Sequence, residues 1–134
     1  MNKEIAMRWI KALRSKKYKQ GKHALCRVDS RGGCKYCCLG VLTELYQEHR
    51  KRNKQKVLPT IVGMTTHGKP IQVRKYGREG DVLPVAVRKW AGVRSSTGFH
   101  YSDIDKFVSL ADMNDSGKSF DEIANFISKN YKEL

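Results

Sequence analysis

The chain has 134 residues, 40% of them hydrophobic and 30% charged, and a formal net charge of +14. That length fits one domain with one core. No apolar run approaches the ~20 residues that span a bilayer, and residues 1–9 lack the apolar centre of an export signal, so the sequence reads as a protein of the cytoplasm with no membrane contact.

Residues 3–14 predict an amphipathic helix with Ile5, Trp9, Ala12 and Leu13 on one face. A basic connector, residues 14–22, follows and ends near Gly21. Residues 25–28 read as a short strand, and Asp29, Ser30, Arg31, Gly32 and Gly33 as a turn. A second helix is expected from about Tyr36 to Arg50, burying Leu39, Leu42, Leu45 and Tyr46. Residues 60–64 and 71–76 predict two strands joined as a hairpin through residues 66–70. Pro84 suits the first turn of a short helix over 85–91 and Gly92 its stop. Residues 93–102 read as a loop, and 103–113 as a helix with Ile104, Phe107, Val108 and Ala111 inward. Asn114, Asp115, Ser116 and Gly117 form a turn, and Ser119 with Glu122 a capping box opening the last helix. The expected architecture is a small single α+β domain, mainly helical, with a short antiparallel hairpin or sheet.

Charge is distributed unevenly. Residues 1–75 hold 19 Lys and Arg against 4 Asp and Glu, whereas residues 76–134 hold 8 against 9. A one-sided excess attracts polyanions and speeds their encounter. Lys16, Lys17, Tyr18, Lys19 and Lys22 interleave an aromatic ring with cations; Arg27, Arg31 and Lys35 follow across the turn; Arg74 and Lys75 border the hairpin with Lys69. Arg can fork onto phosphate and Lys acts as a point charge. Tyr18 or Tyr76 could stack a base. These ten positions, 16–19, 22, 27, 31, 35, 74 and 75, are the candidate ligand-binding residues.

Other chemistry has weaker support. Cys26, Cys34, Cys37 and Cys38 cluster in a way that points to free thiols or a metal rather than to a disulfide scaffold. Cys34 and Cys37 have zinc-knuckle spacing, with Cys26, Cys38 or His23 available to complete it, but no second spaced pair follows, so no metal or cofactor is expected. Cys37 or Cys38 at a helix N-terminus could be an activated nucleophile, yet nothing selects a base among His23, His49, His67 and His100. Asp112, Asp115, Asp121 and Glu122 could supply paired carboxylates, although capping and turn roles already account for Asp115 and Glu122. A DNA-reading helix-turn-helix over 103–127 lacks a recognition helix and is acidic where phosphate would approach.

Several segments together resemble a group of small, mostly uncharacterised accessory proteins encoded by tailed bacteriophages. They are Trp9-Ile10-Lys11-Ala12-Leu13-Arg14-Ser15, Tyr36-Cys37-Cys38-Leu39-Gly40-Val41-Leu42, Trp90-Ala91-Gly92 and the run from Leu110 to Ala124 with its Asn114-Asp115-Ser116-Gly117-Lys118-Ser119-Phe120 core. The resemblance implies a phage protein made in the host bacterial cytoplasm, and phage proteins of this size are often counter-defence factors, some of which hold a nucleotide immune signal without cleaving it. It carries over no functional residues. The expected function is therefore non-enzymatic binding of a phosphate-bearing, nucleotide-type ligand. A DNA- or RNA-binding protein using the same surface without base readout is the alternative, and a phosphodiesterase or nuclease the third reading. Association with further copies of the chain is compatible with all three.

Overall fold

A computed structural model describes residues 1–65, 68–101 and 107–134. Helix α1 (Lys3–Arg14) begins where the Asn2 side chain accepts the Ile5 N–H at 3.1 Å. Glu4 in its first turn and Lys11 and Arg14 in its last complement the helix dipole. It buries Ala6, Trp9, Ile10 and Leu13, a stripe rotated slightly from the expected one, with Ile5 and Ala12 at its margin. Trp9 is fully buried because its indole N–H has a partner, the Cys38 carbonyl at 2.9 Å.

That carbonyl opens α2 (Cys38–Arg52), the central helix. Its first half is buried on all sides, from Cys38 to Thr43. Gly40 explains how closely it packs: a Cβ there would lie 1.8 Å from the Leu25 carbonyl oxygen, so no side chain fits. The helix then emerges from the core and ends in a basic turn, His49 to Arg52, favourable at a helix C-terminus.

Four strands form an antiparallel sheet in the order β2-β1-β4-β3, with β1 Cys26–Val28, β2 Cys34–Tyr36, β3 Thr60–Met64 and β4 Gln72–Tyr76. Strand β2 was not expected from the sequence; the Asp29–Gly33 turn makes it the return arm of a hairpin, with Asp29 accepting the backbone N–H groups of Arg31 (2.8 Å) and Gly33 (2.9 Å). Those two bonds hold the Asp29 carboxyl below its ordinary range. The free side of β2 is covered by the connector, which pairs through Tyr36 N–H to the Lys19 carbonyl and Gly21 N–H to the Tyr36 carbonyl, each 2.8 Å. Strands β3 and β4 match the expected hairpin; its connection at Thr66 and His67 lies outside the described residues.

Helix α3 (Val85–Ala91) ends at Gly92 with φ 72, the left-handed stop that glycine supplies. The loop expected over 93–102 instead contains β5 (Phe99–Tyr101), and the helix expected over 103–113 is replaced at its centre by β6 (Phe107–Ser109), paired antiparallel with β5. Among the described residues of that span, helix α4 (Leu110–Asp115) begins at Leu110, where Ser109 caps it by accepting the Asp112 N–H at 3.0 Å. Its buried residues are Leu110 and Asn114, not the expected Val108 and Ala111, which are half-buried; Ile104 lies outside the described residues. Helix α5 (Phe120–Asn130) has the expected Ser119–Glu122 cap and buries Phe120, Ile123, Ala124 and Ile127 against α1. Among the described residues, five α-helices and small antiparallel sheets make the domain α+β and mainly helical, as the sequence predicts. Among the described residues no helix is long and apolar enough to cross a membrane.

Candidate functional site

Strand alternation sends neighbouring residues to opposite sheet faces. The register pairs Arg27 with Lys35 and with Val73, Gly63 with Val73 and Ile61 with Lys75, so these six share the outer face. Cys26, Arg74 and Tyr76 take the inner face, towards α2. The basic residues of the strands are thereby divided between the two faces.

The inner population is neutralised. Arg74 lies 3.6 Å from Glu44, which also accepts the Tyr76 hydroxyl. Lys17 reaches Glu48 at 3.3 Å, and so does the Tyr18 hydroxyl. The Lys17 ammonium sits 5.3 Å from the Tyr18 ring centroid, and Tyr18 meets Tyr36 edge-on. Burial, then the Glu48 carboxylate, pushes the Tyr18 hydroxyl far up; burial, then Glu44, does the same to Tyr76. Arg74 and Tyr76 thus tie β4 to α2, the exposed Lys17 and half-buried Tyr18 tie the connector to it, and buried Tyr76 offers no open ring for the base stacking considered from the sequence.

The outer population lines a groove of about 840 Å³. Arg27, Lys69, Lys75 and Arg78 contribute fixed positive charge, His23 joins them, and Asp81 is the one carboxylate among the described lining residues. Ile71, Val73 and Gly80 contribute apolar and backbone surface. The Lys75 side chain runs past two glycines, where a Cβ at Gly80 would touch its Cγ at 3.4 Å and one at Gly63 its Cε at 3.8 Å, both ordinary van der Waals contacts. Gly80 is fixed by its carbonyl, which accepts the Leu25 N–H at 2.7 Å.

Of the ten candidate residues, the structure brings Arg27 and Lys75 together in this groove and places Lys35 on the same sheet face. Lys16, Lys19, Lys22 and Arg31 are exposed elsewhere on the connector and the hairpin turn. His23, Lys69, Arg78 and Asp81 complete the lining and were absent from the candidate set. The hairpin position of Lys69 was a usable signal; nothing local marks Arg78 or Asp81.

One wall is set by the Asn114–Asp115 pair, which the sequence reads only as a turn. Buried Asn114 accepts the Cys38 N–H (3.1 Å) and the Gln20 side-chain amide (3.0 Å), and donates to the Gly21 carbonyl (2.8 Å). Gln20 in turn donates to the Lys118 carbonyl (2.8 Å) and accepts the Phe120 N–H (3.1 Å) at the start of α5. Asp115 accepts the His23 backbone N–H at 2.9 Å and lies 3.3 Å from His23 Nδ1.

The cysteines depart from expectation. Cys26 and Cys34 form a disulfide across the β1–β2 hairpin, so the Cys34–Cys37 pair proposed as a zinc knuckle is divided. The strand pairing places their Cα atoms 5.5 Å apart, within bonding range, a proximity that sequence spacing does not reveal. Cys37 and Cys38 are free and buried. Burial pushes the Cys37 thiol up to about 11 and the Cys38 thiol well above its ordinary value, outweighing the helix N-terminus that would have lowered them. Among the described residues no group of three or more His, Cys, Asp or Glu side chains gathers to hold a metal.

The fold and groove define a class: a small basic α+β domain with a cation-lined cleft on the open face of an antiparallel sheet. A family described as a domain of unknown function, DUF8296, matches residues 1–131, and the chain belongs to that family. No curated protein and no solved structure matches it.

Proposed function

We propose that this is a phage accessory protein that holds a phosphate-bearing, nucleotide-type ligand in the outer-face groove without cleaving it, sequestering a host defence signal in the bacterial cytoplasm. The observation that carries the reading is the groove itself: four fixed cations and a histidine against one carboxylate, around a volume of about 840 Å³. Small-ligand sites typically enclose ~300–1,000 Å³. Met64 and Ile71, apolar residues that line the groove with those cations, suit a ligand with a flat base and a charged tail. Sequestration without cleavage is supported by the state of the nucleophile candidates, since Cys37 and Cys38 are buried and held as neutral thiols.

A second reading, nucleic-acid binding, draws on the exposed cations outside the groove, Lys16, Lys19, Lys22 and Arg31, which only an extended polyanion would reach together with it. Salt dependence separates the two. Neutralising several phosphates of a polymer releases condensed counterions and gives a steep log–log slope, whereas a small nucleotide gives a shallow one. Purified protein titrated with mononucleotides, cyclic nucleotides, single strands and duplexes is expected to bind one small ligand with a shallow slope and to release it intact on denaturation. Arg27→Glu with Lys75→Glu is expected to weaken that binding by about tenfold or more, and Lys16→Glu, Lys17→Glu and Lys19→Glu together by less. Tight binding to long DNA or RNA with a steep slope, and to no small nucleotide, would overturn the first reading in favour of the second.

A further inference from the structure

His23 has two features that an ordinary surface histidine lacks. Its backbone is left-handed, φ 66, a conformation disfavoured for residues other than glycine. Its backbone N–H and its Nδ1 also both face one carboxylate, Asp115, at 2.9 and 3.3 Å. Asp115 is itself anchored, since Asn114 is tied to Cys38, Gln20 and Gly21. The chelation over-determines the strained backbone and engages Nδ1, so Nε2 is the ring nitrogen left for the groove that His23 lines.

We propose that His23 is the proton-dependent phosphate contact of the groove: with Nδ1–H donated to Asp115, a protonated ring donates Nε2–H to a ligand phosphate oxygen. The inference rests on the groove being a phosphate site and adds the residue that makes capture sensitive to pH. Asp115 from α4 lies beside the ring; the charged groups that line the groove with it are Arg27 from β1, Lys75 from β4, Lys69 from the β3–β4 connection, and Arg78 and Asp81 after β4, and Lys22 adjoins it in sequence. The charged ring forms a charge-assisted hydrogen bond, whereas the neutral ring with Nδ1–H directed at Asp115 presents a lone pair to phosphate and repels it. Affinity is therefore present at low pH and lost as pH rises.

The probe is 3′,5′-cyclic AMP, whose phosphodiester stays a monoanion over this range, so any pH dependence belongs to the protein. Isotope-labelled protein is titrated with it by NMR at about pH 5.5 and about pH 8. Expected are shifts at His23 Nε2, Arg27 and Lys75, and binding about fivefold tighter at the lower pH. His23→Asn tolerates the left-handed backbone and does not titrate; it should bind equally at both pH values, near the weaker wild-type affinity. A variant in which the other histidines, His49, His67 and His100, are replaced together should keep the pH ratio. Should His23→Asn not fold, the wild-type ring resonance decides. An unchanged pH ratio in His23→Asn, or shifts at Arg27 and Lys75 with a silent His23 ring, overturns the inference and leaves the groove reading standing. Silence at all three residues overturns the inference for this probe, and the same silence across the mononucleotides and cyclic nucleotides of the panel overturns the groove reading as well.

Discussion

Arg74 and Lys75 are neighbours in sequence and opposites in structure. Arg74 points inward, 3.6 Å from Glu44, beside Tyr76 and beneath α2; Lys75 points outward across Gly63 and Gly80 into the groove. Lys17, on the connector, is likewise paired with a carboxylate of α2, Glu48, whereas Arg27 lines the groove. The lesson is that an excess of positive charge does not locate a site. Two carboxylates on one helix consume one set of cations to hold the sheet, and strand alternation exposes the other. Stability and binding should therefore be separable by mutation, with inner-face changes reducing the first and outer-face changes the second.

The strongest test of that separation removes the platform on which both faces depend. Gly40→Ala places a methyl group against the Leu25 backbone, which cannot move without displacing β1. Overpacking of this kind against backbone should cost about 3 kcal/mol or more, read as a lower denaturation midpoint. The hairpin clamp comes next. Cys26→Ser with Cys34→Ser removes a cross-link over a sequence separation of 8. Chain-entropy arguments for so short a loop give a loss of roughly 2.5 kcal/mol, and reduction of the wild type should shift its midpoint by the same amount. Glu44→Gln leaves Arg74 half-buried without its charge partner and should cost about 2 kcal/mol, while groove affinity, measured under conditions where the variant is folded, stays unchanged. Loss of binding in folded Glu44→Gln would break the separation.

The smallest effect is alkaline. Burial raises the Cys37 thiol from 9.0 to about 11, so the native state keeps its proton where the unfolded chain has released it. Its contribution to stability is intact below pH 9 and declines as pH rises towards 11, by about 1 kcal/mol at pH 10. Denaturation midpoints against pH in wild type and Cys37→Ala should diverge over that window. In the native protein Cys37 should resist alkylation at neutral pH.

How legible all this was in the sequence depended on the range of the forces involved. Helices α1, α3 and α5 and the β3–β4 hairpin carry local signals, namely apolar periodicity, the Gly92 stop and the Ser119 cap, and they lie where those signals place them. Strands β2, β5 and β6 have three residues each and exist because of a partner strand, so composition alone did not reveal them. The helix expected over 103–113 carried a plausible apolar spacing, but the cap at Ser109 starts α4 late. Within the site, Arg27 and Lys75 were visible as basic residues on predicted strands. Their separation from Lys17, Tyr18 and Arg74 required knowing the register and the positions of Glu44 and Glu48. The disulfide and the His23–Asp115 pair, 92 positions apart in sequence, arise only from tertiary proximity.

The Asn114 amide has a bearing on the order in which the chain matures. Its bonds to Cys38, Gln20 and Gly21 close sequence separations of 76, 94 and 93 residues. Contacts that distant form late, because the loop-closure entropy must be met before they contribute. A nascent chain halted before residue 114 therefore contains all four of the groove's cations and can pair Gly21 with Tyr36, but it lacks the bonds from Asn114 and Asp115 to Gln20, Gly21 and His23, so the His23 side of the cleft is the last part to be fixed.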